Sequence, residues 1–134
     1  MKKIILLFFM IVTFGYSQNQ DNDYNDLLKK NPFNVMYPKF IAEESANYFD
    51  TFNLLFSDKS PIATKEARLA AIAASAAIRC EYCIAAQIEF AKKVGATDEE
   101  IKAAVQIAAE IQRFSTLLYG TEFGMEKLNK VIGR

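Results

Sequence analysis

The chain has 134 residues, 51% of them hydrophobic and 24% charged, with 16 Lys+Arg against 16 Asp+Glu and no formal net charge. That is a globular composition at the length of one domain, without the electrostatic footprint of a nucleic-acid binder. It contains no His, which excludes Ser-His-Asp and Cys-His nucleophilic sites, and His-ligated zinc, copper or non-haem iron, within the chain.

Residues 1–17, MKKIILLFFMIVTFGYS, begin with Lys2 and Lys3, continue with an apolar run from Ile4 to Phe14 broken only by Thr13, and end with the small residues Gly15 and Ser17. This layout predicts a secretory signal cleaved near Ser17. Eleven apolar residues at about 1.5 Å each reach only about half a bilayer core, so the run is too short for an anchor. The exported chain would be periplasmic or secreted, without a membrane segment. Loss of two Lys would leave it with 14 basic and 16 acidic residues, mildly acidic.

Residues 18–38 read as a flexible polar leader. Asn, Asp and Gln dominate its first half, where short polar side chains compete with the backbone and little can be buried. Pro32 and Pro38 discourage a continuous helix. From Lys39 the spacing of Ile41, Tyr48, Phe49, Phe52, Leu55 and Phe56 predicts an amphipathic helix over about 39–56. Ser57 to Pro61 make a turn, and Thr64 is placed to cap the next helix with Glu66 in its first turn.

The stretch 65–94 lacks Pro and Gly and is rich in Ala, so composition predicts helix throughout. It is apolar on all sides from Leu69 to Ile78, which predicts burial. Lys92, Lys93 and Gly95 form its C-terminal stop. Thr97 and Glu100 then form a capping box. The helix that follows should present Ile101, Val105, Ala108, Ile111 or Gln112, Ser115 and Leu118 on one face and end near Gly120. A final short helix over about 122–131 is weakened by Gly124. No segment alternates with period two for long, so the class is all-α, with residues 39–134 as its one folded domain.

Both cysteines lie in Cys80-Glu81-Tyr82-Cys83. On a helix this spacing puts both sulfurs on one face, where they can cycle between dithiol and disulfide. A helix N-terminus and Arg79 favour thiolate; Glu81 opposes it. The same pair could be a structural staple, although so short a loop constrains the unfolded chain little. A metal site would need two further ligands from acids or another subunit. No glycine-rich phosphate loop is present, and neither a cofactor nor a metal is expected.

The run from Ala67 to Gln87, ARLAAIAASAAIRCEYCIAAQ, followed by Val94-Gly95-Ala96-Thr97-Asp98-Glu99-Glu100-Ile101, resembles the carboxymuconolactone decarboxylase-like family and within it the alkylhydroperoxidase D-like branch. The resemblance covers about residues 39–130. It implies a helical domain built around an Ala-rich hairpin carrying the CxxC, assembled as a homotrimer or homohexamer. It also implies thiol peroxidase or disulfide reductase chemistry on a small peroxide or disulfide, with Cys83 attacking, Cys80 resolving, and a thiol reductant protein as partner. In that branch a Glu twelve residues before the first Cys and a His four after the second relay a proton. Here those positions are Arg68 and Gln87. Gln87 can hydrogen-bond a sulfur but cannot take its proton, whereas Arg68 could hold a thiolate electrostatically. In a straight helix Arg68 and Cys80 would lie about 18 Å apart, so contact requires a break, and the family's break falls at Arg79. A catalytically degenerate oligomeric member, structural or binding, is the alternative. A lactone decarboxylase is a poorer match, because that chemistry uses His.

Overall fold

The computed structural model describes residues 23–134. The expected leader peptide and the first residues of the polar segment lie outside them. The described residues form helices and turns without a strand, as the absence of period-two patterning predicts. Contacts divide the chain into a first unit ending at Leu54 and a second running from Leu55 to Arg134.

The first unit contains α1 (residues 23–30), short 3₁₀ turns at Pro32–Met36 and Lys39–Ile41, and α2 (Ala42–Leu54). It is more ordered than its polar composition predicts. Asn31 accepts the Phe33 N–H and starts the first 3₁₀ turn, with Pro32 at its first position, where a missing N–H costs nothing. Asn34 is fully buried and donates through Nδ2 to the Ala42 carbonyl over 2.9 Å. Polar residues here build structure by bonding backbone groups rather than by covering apolar surface. The Phe49 ring packs against Phe33, Tyr37 and Tyr48.

The second unit contains α3 (Thr64–Ala77), α4 (Glu81–Lys93), α5 (Asp98–Gly120) and α6 (Met125–Val131). Helix α3 is central, packing on both α4 and α5. Its Ala-rich faces permit that: small side chains let a helix approach two neighbours. The core is Ile72, Ala91, Ala96, Ile101 and Ala104, with Leu69, Ala73 and Ile88 packed on it.

Several expectations change. The helix expected over 39–56 is a 3₁₀ turn followed by α2 and stops at Leu54. Thr64 is the first residue of α3 rather than its cap; the cap position is Ala63, which offers no side-chain bond. The stretch 65–94 is two helices, because the chain turns at residues 78–80. Ile78, expected inside, is 73% exposed. On α5 the buried positions are Ile101, Ala104 and Ala108, while Val105 and Ile111 face outward. Gly124 does not interrupt α6 but starts it, at φ +79°.

The expected stops and starts elsewhere are present. Thr97 and Glu100 form the reciprocal capping box of α5. Gly95, at φ +83°, closes α4: its N–H bonds the Lys92 carbonyl, and the Ala96 N–H bonds the Ala91 carbonyl. This paired closure requires one left-handed residue after the helix, a conformation that Gly adopts without steric cost.

Candidate functional site

The turn between α3 and α4 repeats the α4 closure with a different residue. The Arg79 N–H bonds the Ala76 carbonyl over 3.1 Å, and the Cys80 N–H bonds the Ser75 carbonyl over 3.0 Å. The left-handed position is Arg79, at φ +57°. A side chain there costs about 1 kcal/mol or more, so local propensity does not choose this turn; the packing of α3 and α4 does. The break that sequence reasoning required between Arg68 and Cys80 therefore falls at Arg79.

Cys80 emerges from this turn as the N-cap of α4. Its carbonyl accepts the Ile84 N–H over 2.9 Å, and its Sγ accepts the Cys83 N–H over 3.2 Å. The two sulfurs are joined in a disulfide, with the Cα atoms 5.2 Å apart. Both cysteines are half-buried, while Ile78 and Tyr82 beside them are exposed. The helix N-terminus gives Cys80 Sγ an oriented N–H donor and a partial positive charge. Glu81, in the first turn, works against negative charge on sulfur.

Arg68 and Gln87, 19 residues apart in the chain, meet directly across the break. Arg68 donates to Gln87 Oε1 over 3.0 Å. The guanidinium carbon lies 3.6 Å from the centre of the Phe56 ring and 4.8 Å from that of Phe90. Burial pushes the Arg68 pKa down, but an arginine remains charged in water across the ordinary pH range. On α4, Cys83, Gln87 and Phe90 stand at i, i+4 and i+7, one face of the helix. The Arg68–Gln87 pair thus sits one helical turn along from Cys83, about 6 Å of axial rise. Arg79 is exposed, and its side chain makes no ion pair or hydrogen bond among the described residues. Its role is that of a backbone turn.

Sequence reasoning missed Phe90 and left Gln112 undecided. Phe90 carried a signal, being i+3 from Gln87. Gln112 was left in balance with Ile111 for the inner face of α5. The structure selects Gln112, whose Nε2 donates to the Ala77 carbonyl at the end of α3. An otherwise unpaired carbonyl just before the cysteine turn is thereby held by α5.

Among the described residues no group of three or more His, Cys, Asp or Glu is placed to hold a metal ion, and no helix is long and apolar enough to cross a membrane. A groove of about 490 Å³ lies at the α5–α6 connection, lined by Leu118, Tyr119, Glu122, Phe123, Gly124, Met125 and Leu128. None of the residues around the disulfide lines it.

The model of the carboxymuconolactone decarboxylase family matches residues 43–123. No curated protein and no solved structure matches the chain.

Proposed function

The chain belongs to the carboxymuconolactone decarboxylase family, and on that premise we propose that it is a thiol oxidoreductase of the alkylhydroperoxidase D-like type. One observation carries this reading: the only two cysteines form a disulfide at the helix hairpin, with Cys80 Sγ accepting a backbone N–H at the start of a 13-residue helix. A pair that served only as a staple would contribute little in so short a loop.

The resemblance to the alkylhydroperoxidase D-like branch implies the roles of the two sulfurs. In the reduced pair the Cys83 thiolate attacks the distal oxygen of a hydroperoxide. The O–O bond breaks, the alkoxide leaves and takes a proton from water, and Cys83 becomes a sulfenic acid. The Cys80 thiolate attacks that sulfur, hydroxide leaves, and the disulfide forms. An external dithiol restores the pair. Its first thiolate attacks Cys83 Sγ and expels Cys80 as thiolate, the sulfur that the helix N-terminus stabilises best as a leaving group. The donor's second thiolate then attacks the donor sulfur and releases Cys83.

The Arg68–Gln87 contact supports thiol exchange over fast peroxide turnover. A proton relay needs groups that gain and lose a proton near neutral pH, and neither an arginine nor an amide does. Thiol exchange needs access and a thiolate, not a dedicated base. The same contact favours one second reading, an oligomeric binding or structural member without turnover. The lyase reading finds no support in a site without His.

We place this activity after export, in an oxidising compartment, on the layout of residues 1–17. The deciding experiment is the reduction potential of the Cys80–Cys83 pair. A value above about −300 mV, with Cys83 titrating well below about 8.5 in the reduced protein, is expected of a working dithiol. A lower potential with an ordinary thiol overturns the oxidoreductase reading.

A further inference from the structure

Several cations of the helix hairpin and of α5 pair with carboxylates. Lys65 binds Glu100 over 2.7 Å, Lys92 binds Asp98 over 3.1 Å, and Arg113 binds Glu110 over 2.7 Å. Arg68 has no carboxylate partner among the described residues. Its partners are two aromatic rings and the neutral oxygen of Gln87, and its Nε is buried without a hydrogen-bond partner among the described residues. A guanidinium that has lost part of its water and gained no counter-charge is unfavourable unless something returns the lost interaction. Arginine also presents a planar set of donors matched to a carboxylate.

The position of this cation matters as much as its state. Gln87, which Arg68 touches, stands one turn from Cys83 on the same face of α4. Phe90 continues that face, and Phe56 covers Arg68 from the residues preceding α3. An anionic group seated on Arg68 would leave about 6 Å of axial rise to the sulfur, the span of one small apolar body, with aromatic side chains beside it.

We propose that Arg68, with Gln87, is the anion-receiving end of the substrate site, and that the substrates are small amphipathic carboxylates whose reducible group lies about one ring away from the carboxylate. This rests on the thiol oxidoreductase reading for its chemistry. Arg68 binds the carboxylate, Gln87 orients the guanidinium, Phe56 and Phe90 flank the apolar body, and Cys83 meets the far end. The bound anion supplies the counter-charge that the chain itself does not.

The test uses the full chain and a matched pair of probes: cumene hydroperoxide and the same molecule bearing a para-carboxylate. The carboxylate is expected to show kcat/KM about tenfold higher in wild type, the scale of one charge-assisted contact, carried by KM because the contact is present before and during reaction. Arg68→Met should bring the ratio of the two substrates close to one, and Arg68→Lys, a point charge, should retain part of it. A binding arm needs no turnover. 4-Isopropylbenzoate should shift the Gln87 side-chain amide resonances of the oxidised protein, and neutral isopropylbenzene should not. Equal kcat/KM for the two hydroperoxides in wild type, or no shift with 4-isopropylbenzoate, overturns the proposal. If 4-isopropylbenzoate binds in an Arg68-dependent way but neither hydroperoxide is reduced, the anion site stands and the oxidoreductase reading falls. If both are reduced equally and nothing binds, the reverse holds. Should Arg68→Met fail to fold, the wild-type ratio and Arg68→Lys decide alone.

Discussion

The Cys80 amide reaches back to the Ser75 carbonyl over 3.0 Å, closing α3 across a left-handed Arg79. The residue whose sulfur caps α4 is therefore also the last donor of the preceding helix. Its geometry is set by a backbone turn for which its neighbour Arg79 is poorly suited.

Arg79→Gly should stabilise the protein. Glycine removes the steric cost of φ +57° but gives back some unfolded-state entropy, so the net gain should be about 0.5–1 kcal/mol. Gly95→Ala, at φ +83° in the corresponding turn, should cost about 1 kcal/mol. Urea midpoints of the two variants, moving in opposite directions at unchanged slope, check both.

How far the sequence could be read divides at these turns. The all-helical class, the capping box at Thr97 and the stop at Gly95 follow from local chemistry. The break at Arg79 does not: Ala-rich sequence on both sides predicts one helix, and only the contacts of α3 with α4 outweigh that propensity. The inward face of α5 was blurred for a related reason. Val105, expected on the inner face, is exposed, and of the alternatives Ile111 and Gln112 it is Gln112 that turns toward α3, where it serves a carbonyl and not the apolar core. In the site, both cysteines and the positions Arg68 and Gln87 stand out from spacing and family resemblance, but the direct bond between Arg68 and Gln87 does not. The Phe56 and Phe90 contacts of Arg68 depend on tertiary placement, which no one-dimensional pattern contains.

Restoring acid–base groups at the two relay positions should raise peroxidase activity. Arg68→Glu with Gln87→His places a carboxylate and an imidazole where the guanidinium and amide now meet at 3.0 Å. A positioned proton-transfer group is worth about 10²–10⁴-fold. Neither single change should give the full effect, because a relay works only with both members. Initial rates with tert-butyl hydroperoxide, a neutral substrate, measure the cycle. A folded but inactive double variant would favour the structural reading of the pair.

The two cysteines should fail differently. Cys83→Ser should abolish peroxide reduction, because a hydroxyl is a far weaker nucleophile than a thiolate. Cys80→Ser should still consume one equivalent of peroxide and stop at the Cys83 sulfenic acid. Mass spectrometry after dimedone trapping should find the adduct on Cys83 in the second variant only.

Acid should weaken the α3–α5 contact through Glu100. The Lys65 ammonium, and then the Thr97 N–H and hydroxyl, lower its pKa to about 2. A carboxylate depressed in the folded state adds stability above its unfolded pKa near 4.5 and loses that stability as pH falls through the window down to about 2. Lys65 is raised by the same bond, so its share is present below pH 10.5 and lost above it. Glu100→Gln should flatten the acid limb of a thermal-denaturation profile between about pH 4.5 and pH 2 while leaving α5 capped through Thr97.

Association should follow from the outer face of α5. Ile107, Ile111 and Phe114 stand at i, i+4 and i+7 and are 60%, 64% and 53% exposed. A small helical domain with such a stripe buries it between copies of itself. Light scattering should give a mass above that of the single chain, and Ile111→Asp with Phe114→Asp should return it to monomer. A wild-type monomer in dilute solution sinks this expectation.

The shared role of Cys80 also carries a kinetic consequence. One peptide unit ends α3 through its N–H, begins α4 through its carbonyl, and holds the sulfur that receives the Cys83 amide. Fraying at the tail of the first helix or the head of the second displaces the same sulfur, so local opening of the hairpin and exposure of the disulfide to an incoming thiolate become one event. The amide exchange rates of Cys80, Cys83 and Ile84 should then move together, and any change that tightens either helix end should slow reduction by a bulky dithiol more than by a small one.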